Sequence, residues 1–171
     1  LRSEPAGPLI VTALFGAGDD GWLQQLRRTH YPPERNRVPA HLTLLRQLPP
    51  SLEGELSSRL AAATAAPPPA ATVAGIMDLG EGTALRVESP ALAEIREALA
   101  DAFFGLLTPQ DLAAWRPHVT IQNKVEPREA RALQRQLLAG FQPRPLTIRA
   151  LASWRYADGP WLPLKTHAFR R

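Results

Sequence analysis

At 171 residues the chain is long enough for one domain with a substantial core and short for two independent ones. It has no Cys, which excludes a disulfide framework, a thiol nucleophile and Cys-ligated zinc and fits a reducing cytoplasm; no apolar run approaches the roughly 18 residues of a membrane span. The formal charge is +4 and 18 of the 20 basic residues are Arg, so the balance leans toward an anionic partner such as a nucleotide or RNA, although arginine-rich coding with solvated charges gives the same composition.

Leu1 to Pro5 lacks an initiating Met and reads as a trimmed start rather than a signal peptide. Pro8 to Phe15 is a largely apolar run ending at Gly16, the pattern of a buried strand. Asp19 or Asp20 is placed to cap a short helix through Trp22, Leu23 and Leu26. Prolines at both ends keep Tyr31 to Pro39 out of a helix, leaving a loop whose Tyr31, Arg35 and Arg37 are candidate substrate-binding groups or simply solvated loop side chains. That loop delivers the chain to Ala40-His41-Leu42-Thr43-Leu44-Leu45, where alternation of period 2 predicts a strand with His41 and Thr43 on one face and Leu42 and Leu44 on the other.

After Pro49-Pro50, Ser51 is an expected N-cap for a helix buried along Leu52, Leu56 and Leu60. Ala61 to Ala71, with three consecutive prolines, reads as a stiff connector. Ala71 to Leu79 and Thr83 to Glu88, joined by Gly80-Glu81-Gly82, predict a β-hairpin. Ser89-Pro90 opens a helix with Leu92, Ile95, Leu99, Phe103 and Leu106 facing the core. A connector from Thr108 to Arg116 leads to Arg116-Pro117-His118-Val119-Thr120-Ile121-Gln122-Asn123-Lys124. Here His118 and Thr120 share a face, and the same period extends that face to Gln122 and Lys124. Glu126-Pro127 starts a helix stopped by Gly140, with Ala130, Leu133 and Leu137 inward and Arg128, Arg131 and Arg135 as a solvated stripe. Two strands, Leu146 to Tyr156 and Trp161 to Phe169, close the chain around Ala157 to Pro160.

The expected fold class is α+β: two pseudo-symmetric lobes of antiparallel-rich sheet with flanking helices around a central groove. Residues 1–171 form a single domain, with the motif strands near 41–48 and 118–124 facing each other. Two imidazoles and two hydroxyls would then surround one small anion.

The two His-x-Thr-x copies, the loop from Tyr31 to Arg37, Arg116 to Lys124, and Trp154-Arg155-Tyr156 followed by Gly159-Pro160-Trp161 resemble the two-histidine (2H) phosphoesterase superfamily. The similarity runs from about Leu9 to Phe169 and is strongest to the bacterial 2'-5' RNA ligase branch. The resemblance implies metal-independent chemistry on 2',3'-cyclic phosphates or 2'-5' phosphodiester bonds of RNA ends or small nucleotides. His41 would be the proton donor, His118 the acceptor, and Thr43 and Thr120 would hold phosphate oxygens.

The residues suit that reading. Imidazole, with a reference pKa near 6.5, serves as acid or base with little tuning. Threonine hydroxyls can donate to nonbridging oxygens as charge builds there. Lys124 is placed for a flanking phosphate or marks the solvated end of the strand, and Tyr31, Trp154 and Tyr156 either stack on a base or fill the core; His30 and His167, outside the motif, read as structural. No cofactor or metal is expected. A zinc site would need a third or fourth ligand, and Thr is a poor one. The expected partner is an RNA 3' end or a cyclic nucleotide, bound by a cytoplasmic monomer. A nucleotide- or RNA-binding module using the same groove without turnover is the alternative.

Overall fold

Residues 7–171 are described by a computed structural model; the Leu1 to Pro5 start lies outside them. The first apolar run is β1 (Leu9–Phe15), with Leu9, Val11, Ala13 and Phe15 in the main core and Ile10 in a second cluster on the opposite face. It is followed by α1 (Ala17–His30), a single 3₁₀ turn at Pro33–Arg35, and the first motif strand β2 (Leu42–Leu48). Then come α2 (Glu53–Ala63), the hairpin β3 (Ala70–Asp78) and β4 (Thr83–Glu88), α3 (Pro90–Ala102) and the one-turn α4 (Pro109–Leu112). The second motif strand β5 (His118–Gln122), α5 (Pro127–Leu138), β6 (Arg144–Tyr156) and β7 (Trp161–Ala168) complete the order.

The seven strands of the described residues belong to one antiparallel sheet running β2-β1-β6-β3-β4-β5, with β7 also paired to β6. The long strand β6 joins the halves. Its first residues, Arg144 to Thr147, pair with β3, and the rest pair with β1 and β7. Each half therefore has four strands, with a motif strand at its far end. Each motif strand pairs antiparallel with the strand that precedes it, through an intervening helix: α1 between β1 and β2, α3 between β4 and β5. This is the expected two-lobed α+β arrangement.

The helices cross over. α1 lies against β1 and β5, and α3 against β3 and β2, so each half's connecting helix supports the other half's motif strand. The crossing draws β2 and β5 together even though they stand at opposite ends of the strand order.

Several local expectations differ from the structure. Gly16, not Asp19 or Asp20, caps α1. Asp19 instead accepts from the Thr147 amide at 2.7 Å and from Arg144 at 3.1 Å, fastening α1 to β6. Ser51 sits inside a 3₁₀ turn, Pro50–Leu52, and Leu52 takes the N-cap position of α2. Ser89 does cap α3, accepting from the Leu92 amide at 3.2 Å. That helix ends at Ala102, which leaves Leu106 exposed rather than in the core. The connector after it contains α4, capped by Thr108.

Candidate active site

Both motif histidines are oriented by the same local bond. Nδ1 of His41 lies 2.7 Å from the carbonyl oxygen of Pro39, and Nδ1 of His118 lies 2.6 Å from that of Arg116, each two residues upstream. A carbonyl can only accept, so Nδ1 carries the hydrogen in both rings and Nε2 is left as the nitrogen that gains and loses a proton. Thr43 and Thr120 follow on their strands, half-buried like the histidines, while Leu42, Leu44, Val119 and Ile121 are buried.

Immediately after each threonine the strand bulges. In β2, Thr43 pairs with Thr12 but Leu45 pairs with the adjacent Val11; in β5, Thr120 pairs with Ala84 but Gln122 pairs with the adjacent Thr83. An extra residue re-phases everything beyond it, so side chains exchange faces. This corrects the expectation for the second motif. Gln122 turns into the interior, where it accepts from the buried Thr83 hydroxyl at 2.9 Å. Lys124 lies past the end of the strand with φ of 60° and is exposed. The bulge in β5 also depends on Gly82, since a Cβ there would stand 2.2 Å from the Gln122 carbonyl oxygen.

In β2 the re-phasing brings out Arg46, which a strict period of 2 would place opposite His41. Arg46 shares one cavity of about 310 Å³ with Thr43, Trp115, Arg116 and His118. It shares an adjoining cavity of about 230 Å³ with Ile10, Thr43, Tyr156 and Trp161. Gln110 borders both. Among the described residues no carboxylate pairs with the side chain of Arg46 or Arg116, so both guanidiniums are available to an anion.

The backbone groups freed by the irregular β2 are met by side chains. The buried carboxylate of Asp111 accepts from the amides of Arg46 and Gln47 at 2.9 to 3.1 Å. Arg96 donates to the Leu44 carbonyl at 3.2 Å and to the carbonyl of Asp111. Trp161 packs on His41 with ring centroids 4.8 Å apart, and Trp154 meets Trp161 at 6.1 Å. Trp154 is buried and donates to the Thr12 hydroxyl at 2.9 Å, so it forms the floor instead of a stacking platform for a base.

Burial lowers both imidazole pKa values. For His41 the fall is large, to about 4: desolvation dominates, the Pro39 carbonyl opposes it, and the positive charges of Arg27, His118 and Arg46 add to it. His118 is lowered by burial as well, against the Arg116 carbonyl and with Arg46 and Arg116 reinforcing.

The structure thus brings His41, His118, Thr43 and Thr120 to the facing strands and places Tyr156 in the adjoining cavity. It does not bring the remaining candidates there. Tyr31 and Lys124 line a separate cavity of about 620 Å³ with His30, Glu34 and Glu81. Arg35 and Arg37 line another, of about 380 Å³. Arg46 and Trp115, which line the His118 cavity, and Trp161, which packs on His41, were not among the candidates read from the sequence, although Trp115 stands close to the second motif and Trp161 belongs to the closing Gly159-Pro160-Trp161 pattern. Among the described residues no three His, Cys, Asp or Glu side chains cluster as a metal site would require, and no helix is long and apolar enough to cross a membrane.

With this geometry in view, comparison with known proteins identifies the family. A family model described as the 2'-5' RNA ligase superfamily matches residues 17–160. The chain belongs to this superfamily. No curated protein matches it by sequence. Its fold is similar to that of TT0787 from Thermus thermophilus, with a TM-score of 0.65 at 16% identity over 95% of this chain and 98% of that one. E. coli LigT complexed with NADP+ gives 0.61 at 22% identity over 98% and 100%, and LigT complexed with 3'-AMP gives 0.61 at 18% over 97% and 99%. Membership in the 2'-5' RNA ligase superfamily and the shared LigT fold support a phosphoesterase or ligase type of function.

Proposed function

We propose that this member of the 2'-5' RNA ligase superfamily is a metal-independent phosphodiesterase or ligase acting on 2',3'-cyclic phosphate or 2'-5' phosphodiester bonds of RNA ends or small nucleotides. The observation that carries the reading is the matched anchoring of the two imidazoles, each with Nδ1 held by an upstream carbonyl and Nε2 left for proton transfer. One neutral ring takes a proton from the attacking hydroxyl or water, while the other, protonated, gives one to the departing ribose oxygen. Thr43 and Thr120 donate to the nonbridging oxygens, and Arg46 balances the charge that gathers on them. Run backwards, the same pair joins a ribose hydroxyl to a cyclic phosphate.

The low pKa of His41 constrains how the cycle begins. In the free site His41 is held neutral, the state of a proton acceptor. The donor role that the family pattern gives it requires the negative charge of a bound phosphate, which favours the imidazolium and raises the pKa. Substrate binding and proton uptake are therefore coupled.

The test is incubation of the purified protein with a panel of 2',3'-cyclic nucleotides and 2'-5'-linked dinucleotides in the presence of EDTA. Ring opening or bond cleavage that persists in EDTA and disappears in His41→Ala is expected. Tight binding with no product, unchanged in His41→Ala, would instead identify a binding module.

A further inference from the structure

We infer that Arg27 and Trp115 are a reciprocal pair of positioning residues that fix the separation of the two motif strands, each tying the segment that orients one histidine to the threonine of the other motif. This rests on the two-histidine reading above.

β2 and β5 are the end strands of the sheet, so each has an edge with no neighbouring strand, and it is across these edges that they meet. Unpaired edge carbonyls normally face water or a further strand. Here each threonine carbonyl accepts from a side chain of the opposite half. Trp115, three residues before the start of β5 and adjacent to the Arg116 carbonyl that anchors His118, donates Nε1–H to the Thr43 carbonyl at 3.0 Å. Arg27, on α1, donates Nη1–H to the Thr120 carbonyl at 2.8 Å. It also donates Nη2–H to the carbonyl of Val38 at 2.9 Å, next to the Pro39 carbonyl that anchors His41.

Arg27 is an expensive way to make a merely structural link. It is 3% exposed and, among the described residues, pairs with no carboxylate; its Nε–H goes to the Asn36 side chain at 3.1 Å. Burying an unpaired guanidinium costs far more than burying a neutral side chain, and its hydrogen bonds only offset that cost. A planar, rigid fork spans two carbonyls at fixed angles, and the Tyr31 ring packs against it with its centroid 4.4 Å from Cζ. The indole of Trp115 is likewise a rigid donor, with Arg96 over its ring at 5.9 Å. In-line transfer between two imidazoles depends on their separation, and a shift of about 1 Å can cost as much as 10²-fold in rate.

Two conservative variants test this. Trp115→Phe keeps the ring and removes the donor, and Arg27→Lys keeps the charge and removes the fork. With a 2',3'-cyclic nucleotide as substrate, each is expected to lower kcat by about tenfold while KM stays within about threefold. Because both hold one gap, the double variant should fall well short of the product of the single effects. A second readout needs no turnover. Inorganic phosphate titrated into protein with ¹⁵N-labelled histidine should move the His41 and His118 Nε2 resonances together, with a single apparent Kd, in the wild type. In Trp115→Phe the two rings should respond at different phosphate concentrations. Unchanged kcat in both variants, or rings that remain coupled in Trp115→Phe, overturns the positioning role. Wild-type protein that couples phosphate to both rings but turns over no substrate rejects the catalytic reading and leaves the clamp standing.

Discussion

In both motif strands the imidazole is held by a carbonyl two residues upstream, the threonine follows on the same face, and a bulge comes directly after the threonine. The surroundings are not alike. His41 lies against Trp161, and its strand is propped by the buried carboxylate of Asp111 and by Arg96. His118 sits nearer Arg116, and its bulge is accommodated through Gly82, Thr83 and Gln122. Equal backbones give the two rings the same tautomer. Unequal surroundings hold His41 neutral more strongly, so two chemically identical groups enter the site biased toward different protonation behaviour.

Deleting either ring should cost the most. His41→Ala and His118→Ala should each lower turnover of a cyclic nucleotide by at least about 10². Melting temperatures should stay close to wild type, since both rings are only half-buried. On the proposed mechanism both rings act on one phosphorus and fail as a unit, so the double variant should lose little beyond the single ones. A ring whose loss leaves the rate intact would show that only one copy of the motif is chemical.

Asp111 separates the copies structurally, for it serves only β2. Asp111→Ala leaves two amide donors without a partner, at an expected cost of about 2–4 kcal/mol. Thermal unfolding should register this as a melting temperature lower by roughly 5–15 °C. Asp111→Asn, which keeps one acceptor oxygen, should fall between. In the folded fraction the His41 resonance should shift and that of His118 should hold; equal movement of both would mean that the halves are not independently supported.

Much of this was legible from residue order. The paired His-x-Thr segments predict both motif strands to within a residue or two, and Ser89-Pro90 marks the start of α3. What escaped is what depends on non-local pairing. A bulge is set by the partner strand and by what satisfies its freed amides, so a strict period of 2 puts Arg46 on the wrong face and Gln122 on the His118 face. Arg27 reads as one more arginine on a helix until the chain closes and Thr120, 93 residues away, takes up its fork. The loop residues Arg35 and Arg37 were persuasive for their charge and for preceding the motif, yet proximity in sequence did not carry them into the histidine cavity.

Trp161 offers a gentler way to sharpen the difference between the rings. Its removal in Trp161→Ala admits water beside His41, so the pKa of that imidazole should rise from about 4 toward its ordinary value, with little change at His118. Histidine titration followed by NMR checks this. The same shift has a consequence for the whole fold. All four histidines have pKa values lowered from 6.5 in the folded state, so the unfolded chain binds more protons as the pH falls below that value. Stability should be full above about 6.5 and drain away from there toward the folded values. In Trp161→Ala the part contributed by His41 should shrink. A stability curve that rises on acidification would contradict the sign.

The smallest effect expected is at Arg46, and it falls on both copies at once. Its guanidinium lowers the pKa of His41 and of His118 and borders both cavities, so it belongs to neither half of the site. Arg46→Gln should raise both imidazole values in parallel and weaken binding of inorganic phosphate by about fivefold, a modest loss because the side chain is exposed and screened by solvent. The loss should shrink as salt is raised. Isothermal titration at two ionic strengths, alongside the histidine titration, distinguishes a shared electrostatic role from a contact with one ring alone: only the former moves both rings in the same direction while the wild-type advantage in phosphate affinity fades with salt.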